Sequence, residues 1–141
     1  MTPGSGLCSS FKKQLLQGHH HLDTDQLFMA LYTASAPLDL NVTTAYITTG
    51  EVSAPGYTAR GQLLRNPQVL GPVANTAYMT WDDVQWPNSS IQARAALIYN
   101  QSYQTAAVAI LDFGSDHFSN SGNFVVKFPP PGPGTALIRV L

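Results

Sequence analysis

After Gly18 this chain sustains no long helical pattern. It breaks into short β-prone runs separated by Gly, Pro, Asn, Asp and Ser signals every 8–15 residues. Those runs are QLFMALYTA (26–34), PLDLNVTTAYITTGEV (37–52, with loop breaks), a strand onset after APGYTARG (54–61), one or two strands in GPVANTAYMTWDDVQW (71–86), IQARAALIYN (91–100), TAAVAILDFG (105–114), GNFVVKF (122–128) and TALIRVL (135–141). Many short strands with regular turn punctuation predict an all-β fold, an antiparallel β-sandwich or jelly-roll-like barrel. One segment resists a unique reading. The run 91–99 also contains good helix formers, although its Leu-Ile-Tyr-Asn ending and the turn-like NQSYQT favour a strand. The fully apolar 105–114 run reads as the central strand, ending in a turn at Asp112-Phe113-Gly114.

Ahead of the β region, residues 1–10 are small and Gly/Pro-punctuated, which predicts a flexible or partner-bound arm. A short helix follows. Ser9 or Ser10 is placed to cap it, Phe11, Leu15 and Leu16 offer an apolar face, and Gly18 supplies the stop. Two turns of helix need packing against something larger to persist. The domain reading is therefore an arm at 1–10 and one domain at 11–141, a length that suits a single core.

Only 11% of residues are charged, against about 25% in an ordinary soluble domain. Such a surface is poorly protected against association and reads as a subunit packed against others. A neutral monomer rich in Thr, Ser, Asn and Gln is the plainer alternative. The net charge of −1 and the scattered Lys and Arg residues argue against nucleic-acid binding. Cys8 is the single cysteine, so it makes no internal disulfide, and no Cys pair suggests zinc. No run approaches the length of a membrane span, and MTPGSGLCSSFKK lacks the basic start and apolar core of a signal peptide. Without such a signal, the Asn-x-Ser/Thr matches at Asn41, Asn88 and Asn100 read as chance.

The stretch GHHHLDTD (18–25) is the first candidate for chemistry. On a regular strand His19, His21 and Asp23 would share a face, a conceivable metal half-site. The alternative is a polar connector between helix and first strand. Asp82-Asp83 are adjacent and would face apart on a strand. No GxSxG, HExxH or phosphate-cradling loop occurs, and DFG stands without other kinase signatures. The expectation is no enzyme, no cofactor and no small-molecule substrate.

Several residues remain as interface candidates. Trp81, Trp86, Tyr57 and Tyr103 are of the types whose truncation costs most in binding. Trp81 could equally serve the core, whereas Trp86, before Pro87, is expected near the surface. Phe11 and Leu15 would pack the helix onto the sheets or onto a partner. Pro130 and Pro131 lie in FPPPGPG (128–134), which reads as a stiff loop or as a polyproline ligand for an aromatic groove. The last strand could then join its own sheet or a neighbour's.

The ordered series FKKQLLQGHHHLDTDQLFMALYTASAPLD, TTAYITTGEVSAPGYTARG, ARAALIYN, AVAILDFG, GNFVVKFP and ALIRV resembles a family of small structural proteins of tailed-bacteriophage virions, over roughly residues 11–141. The chain departs from that pattern at Ala59-Arg60-Gly61, where a small Gly-rich turn is expected, and at the PPPGPG insertion. The resemblance implies an assembly subunit, with a capsid decoration (cement) protein as the favoured role. Such a protein binds the major capsid protein lattice as a homo-dimer or homo-trimer. It is made in the host cytoplasm and resides on the capsid surface of the virion. A tail, neck or receptor-binding accessory of the virion is the alternative. A glycan-binding module presenting Trp81 and Trp86, or a small enzyme using the histidines, stand further off.

Overall fold

The computed structural model describes residues 5–140. The chain is mostly β, with 43% strand and 6% helix, one short helix and antiparallel sheets. In order the elements are β1 (Gly6–Leu7), α1 (Ser9–Leu16), β2 (Leu27–Tyr32), β3 (Gln62–Leu63), β4 (Gln68–Val73), β5 (Thr76–Thr80), β6 (Val84–Ser89), β7 (Gln92–Asn100), β8 (Ala106–Phe118), β9 (Gly122–Val126) and β10 (Ile138–Val140). They form a five-stranded sheet in the order β1-β8-β7-β2-β3, a three-stranded sheet β10-β5-β4 and a two-stranded pair β6-β9.

The five-stranded sheet carries most of the core. Leu27, Met29–Tyr32, Ala95–Tyr99 and Ala107–Ile110 are all almost wholly buried. Continuous apolar runs of this kind belong to strands covered on both faces. Residues 92–100 are a strand, and the helical alternative fails because every residue from Ala95 to Tyr99 pairs or packs in the centre of the sheet. That centre is β7. The expected central strand, β8, lies one place out. It can be fully apolar there because β1 and α1 cover its outer side.

Helix α1 ends as its sequence predicts. Gly18 adopts φ +76°, its N–H donates to the Leu15 carbonyl and the His19 N–H reaches back to Gln14, a Schellman stop. Its start differs from expectation. Cys8 is the N-cap and no side chain caps the helix, because the Ser9 hydroxyl donates to Asn41 Oδ1 instead. Phe11 is buried and Leu15 packs against the core, but Leu16 is 91% exposed. Five residues carry Leu16 about 140° round the helix from Phe11, off the shared face.

Four further expectations are corrected. Residues 5–10 are not a free arm: Gly6 and Leu7 pair with Ile110 and Ala109, and Cys8 is buried. Residues 1–4 of that expected arm, and Leu141 of the last strand, lie outside the described residues. The run 37–52 is a loop with single bridges at Ala45 and Glu51 and no strand, despite its β-branched content. Asp39 Oδ1 accepts from the Asn41 N–H and Thr43 Oγ1 from the Asp39 N–H, so short polar side chains satisfy this backbone locally. A strand that the sequence reading omitted, β4, contains Gly71 and Pro72, and proline is tolerated there because β4 is a sheet edge. Finally, β8 does not turn at Asp112-Phe113-Gly114. Ala95 pairs with Asp112 and Ala93 with His117, so β8 bulges outward and then resumes.

The proline-rich segment is a loop linking β9 to β10, fastened by Thr135 Oγ1 donating to the Pro130 carbonyl at 2.6 Å. The last strand, β10, pairs with β5 of its own chain.

Candidate interaction surface

The anchors chosen from sequence divide by burial. Trp86 is 1% exposed and Trp81 5%. The surface expectation for Trp86 fails because β6 alternates: Val84 and Trp86 face inward while Gln85 and Pro87 face out, and Pro87 exposes itself without exposing its neighbour. Burial of both indoles also removes the stacking surface that a glycan-binding reading needs. Trp81 packs on Phe128, and Trp86 on Phe124 and Tyr57. Phe11 is buried, Leu15 half-buried, and Pro130 and Pro131 are exposed at the tip of the β9–β10 loop.

Tyr57 is a fastening group. Its hydroxyl donates to Glu51 Oε2 at 2.5 Å and accepts the Leu31 N–H at 3.0 Å. The same carboxylate accepts from the Tyr46 hydroxyl and the Arg60 N–H. The Arg60 guanidinium lies over the Tyr46 ring, and the Arg60 carbonyl accepts from Tyr99. Burial, and then the bond to Glu51, push the Tyr57 and Tyr46 hydroxyls above their ordinary range. These groups close the long 33–61 connection onto β2 and β7.

Tyr103 belongs to a second polar cluster, at the histidines. Residues 22–24 form a turn, so the alternation that would align His19, His21 and Asp23 does not exist. His19 stacks flat on Tyr103 at 4.8 Å. His20 is buried, with Phe11 and Tyr103 edge-on to its ring. Asn100 Nδ2 donates both to His20 Nδ1 and to Asp25 Oδ2, at 2.9 and 2.7 Å. His20 Nε2 is therefore the protonated nitrogen and donates to Gln14 Oε1 at 2.9 Å. Burial lowers the His20 pKa, against an opposing pull from Asp25, and His19 and His21 lower it further. This cluster ties the end of α1 to the end of β7. Among the described residues no group of three or more His, Cys, Asp or Glu side chains is arranged to hold a metal ion. Cys8, with its thiol pushed up to about 12 by burial, is not poised as a nucleophile.

A concavity of about 600 Å3 is an open groove between the bulged half of β8 and β9, lined by Phe113, His117, Phe118, Phe124 and Lys127. Its β8 side is closed at the main chain at Asp112 and Gly114. The Asp112 N–H donates to Ser5 Oγ at 2.8 Å, and the Gly114 N–H donates to Asp112 Oδ1 at 2.9 Å. Side chains thus occupy the places where an added strand would bond.

The opposite situation holds at the β10-β5-β4 sheet. Met79 lies between Val69 and Ile138 in register, so these three share a face. Met79 and Ile138 are buried, but Val69 is 59% exposed, and Val73 and Val140 are exposed beyond them. Among the described residues only β5 hydrogen-bonds to the main chain of β4, so the outer flank of β4 is bare. No charged residue occurs from Asn66 to Trp81, the whole of the β4–β5 hairpin. Residue type alone does not reveal this surface: its sixteen-residue charge gap is matched by a longer one at Ala95–Leu111, which is mostly buried core.

No family model, curated protein or solved structure matches the chain.

Proposed function

We propose that this protein is a non-enzymatic structural subunit of a tailed-bacteriophage virion, a cement protein that binds the major capsid protein lattice and bridges neighbouring subunits. The family resemblance of the sequence suggests the particle. The observation that carries the assembly role is the uncharged hairpin edge at β4, with exposed Val69 and Val73 and no further strand among the described residues, on a chain with few charges elsewhere. Exposed patches of this kind mark contacts with other macromolecules. Modest contacts suffice in such a role, because many copies on a lattice act together.

The finer architecture in this proposal is a β-sandwich, with the five-stranded sheet as one layer and the β6-β9 pair within the other. It is supported by the ring contact of Phe113 on β8 with Phe124 on β9.

The test is the copy number of this protein in purified particles, by quantitative mass spectrometry against the major capsid protein. One copy per capsid subunit, or a simple fraction of that, is the expected result. A handful of copies would move the protein to the tail or neck, and absence from particles would overturn the virion reading.

A further inference from the structure

We infer that His20 is a proton-operated latch. In its neutral form it holds the N-terminal segment β1–α1 against the five-stranded sheet, and its protonation releases that segment while the sheet stays folded. The inference does not depend on the virion reading.

The latch is one imidazole with partners on two elements. His20 Nε2 donates to Gln14 Oε1 of α1 at 2.9 Å, and the Phe11 ring of α1 meets the imidazole edge-on at 4.8 Å. On its other side His20 Nδ1 accepts from Asn100 Nδ2, at the end of β7, at 2.9 Å. The ring thus bridges the helix to the central strand of the sheet.

The β7 side of this bridge suits only a neutral ring, because Asn100 cannot turn its amide over. Its Oδ1 accepts the Ser102 N–H at 3.0 Å, and its Nδ2 donates to Asp25 Oδ2 at 2.7 Å. A main-chain N–H can only donate and a carboxylate can only accept, so both ends of the amide are fixed. A proton on His20 Nδ1 would therefore meet an N–H of Asn100, donor against donor. Both side chains are buried, where an unmade bond is costly. Asp25 is the alternative acceptor, but its Oδ2 already takes the Asn100 amide and the His21 N–H, and a ring that turned to it would still leave Asn100. The other groups around the ring offer no rescue. His19 and His21 add like charge in acid, Tyr103 contributes an uncharged ring, and Phe11, Gln14 and Asn100 do not titrate.

On the helix side nothing changes, since Nε2 carries its proton in either form and Gln14 goes on accepting it. The break therefore falls between α1 and β7. What α1 takes with it is held at few points. Phe11 and Leu15 pack against the core, Gly6 and Leu7 pair with Ile110 and Ala109, and the Cys8 and Ser9 N–H groups donate to the carbonyls of Val108 and Leu40. β2, β7 and β8 are joined by much longer ladders. A lightly attached segment opens at lower free energy than the whole fold. Cys8, wholly buried between β1 and α1 and the single cysteine, reports that opening.

The test is the rate at which Cys8 of the full chain reacts with a pyridyl disulfide between pH 7.5 and pH 5. Each rate is divided by that of the same chain in denaturing urea at the same pH, which cancels the pH dependence of the thiol itself. The ratio is measured for the native sequence, His20→Gln, Gln14→Glu and His117→Gln, with and without sub-denaturing urea. In the native chain it should rise about tenfold or more from pH 7.5 to pH 5. It should depend little on urea, because a local opening exposes little surface. His117→Gln, at an exposed position of β8, should behave like the native chain. His20→Gln should lose the acid response. Gln14→Glu, which offers the imidazolium a carboxylate on the helix side, should respond less than the native chain, and it decides the matter if His20→Gln does not fold. Four results overturn the inference: a native ratio indifferent to pH, an acid response retained in His20→Gln, one undiminished in Gln14→Glu, or a ratio that climbs with urea as steeply as global unfolding.

Discussion

The two outer flanks at β8 and β4 are finished in opposite ways. At β8 the main chain is covered: two residues of β1 pair with it, and then the Ser5 hydroxyl and the Asp112 carboxylate take up the next donors. At β4 nothing among the described residues covers the flank, and valines stand exposed beside it. The difference separates a region built to be finished within one chain from a region that is finished by contact. The long five-stranded sheet holds the buried mass, so an open edge there would be a large aggregation hazard. The β4–β5 hairpin is short and proline-bracketed, and an open edge there limits what can be added.

If that division is right, truncations should act very differently on the two sides. The largest effect should come from the covered sheet. Ile110→Ala, in the fully buried part of β8, is expected to cost about 2–5 kcal/mol in urea unfolding, through lost burial and the cavity left behind. Asn100→Ala comes next. It leaves His20 Nδ1 and Asp25 without their shared donor inside the α1–β7 junction, for a loss of about 1–3 kcal/mol.

A smaller effect should follow pH. The folded His20 has a lowered pKa, so between that value and about 6.5 the unfolded chain binds the proton that the folded chain refuses. Its contribution is fully present above that window and is lost as pH falls through it. Urea midpoints at pH 7.5 and pH 5 should therefore differ more for the native chain than for His20→Asn. Equal differences would remove His20 as the cause. The smallest effect is expected at the bare edge. Val69→Ala, measured on dilute monomer, should change stability by no more than about 0.5 kcal/mol, because the side chain is exposed. A loss comparable to that of Ile110→Ala would erase the distinction between the two regions.

Much of the fold was legible in sequence for reasons that particular residues make plain. Ala106–Ile110 and Leu27–Tyr32 are continuous apolar runs, and such runs become buried strands whatever surrounds them. Gly18 stopped the helix where its left-handed conformation was needed. Other elements depended on tertiary context. The 37–52 run has strand composition, but Asp39, Asn41 and Thr43 satisfy its backbone locally and leave it a loop. β4 reads as a turn because Gly71 and Pro72 are turn residues, and only its position at an edge makes it a strand.

The candidate surface was less legible than the fold. Residue type drew attention to Trp81 and Trp86, yet large aromatics serve cores and interfaces equally, and here β-strand alternation turns both indoles inward. The surface instead comprises valines and glutamine, residues unremarkable one at a time. What distinguishes them is exposure together, beside an unpaired main chain, in a stretch without charge.

The most direct test of the contrast between the two flanks is amide hydrogen exchange of the purified chain. The β8 amides of Ala107–Ile110 should be strongly protected, and those amides within Gln68–Gly71 of β4 that do not bond to β5 should exchange quickly. Equal protection of the two sets would contradict it.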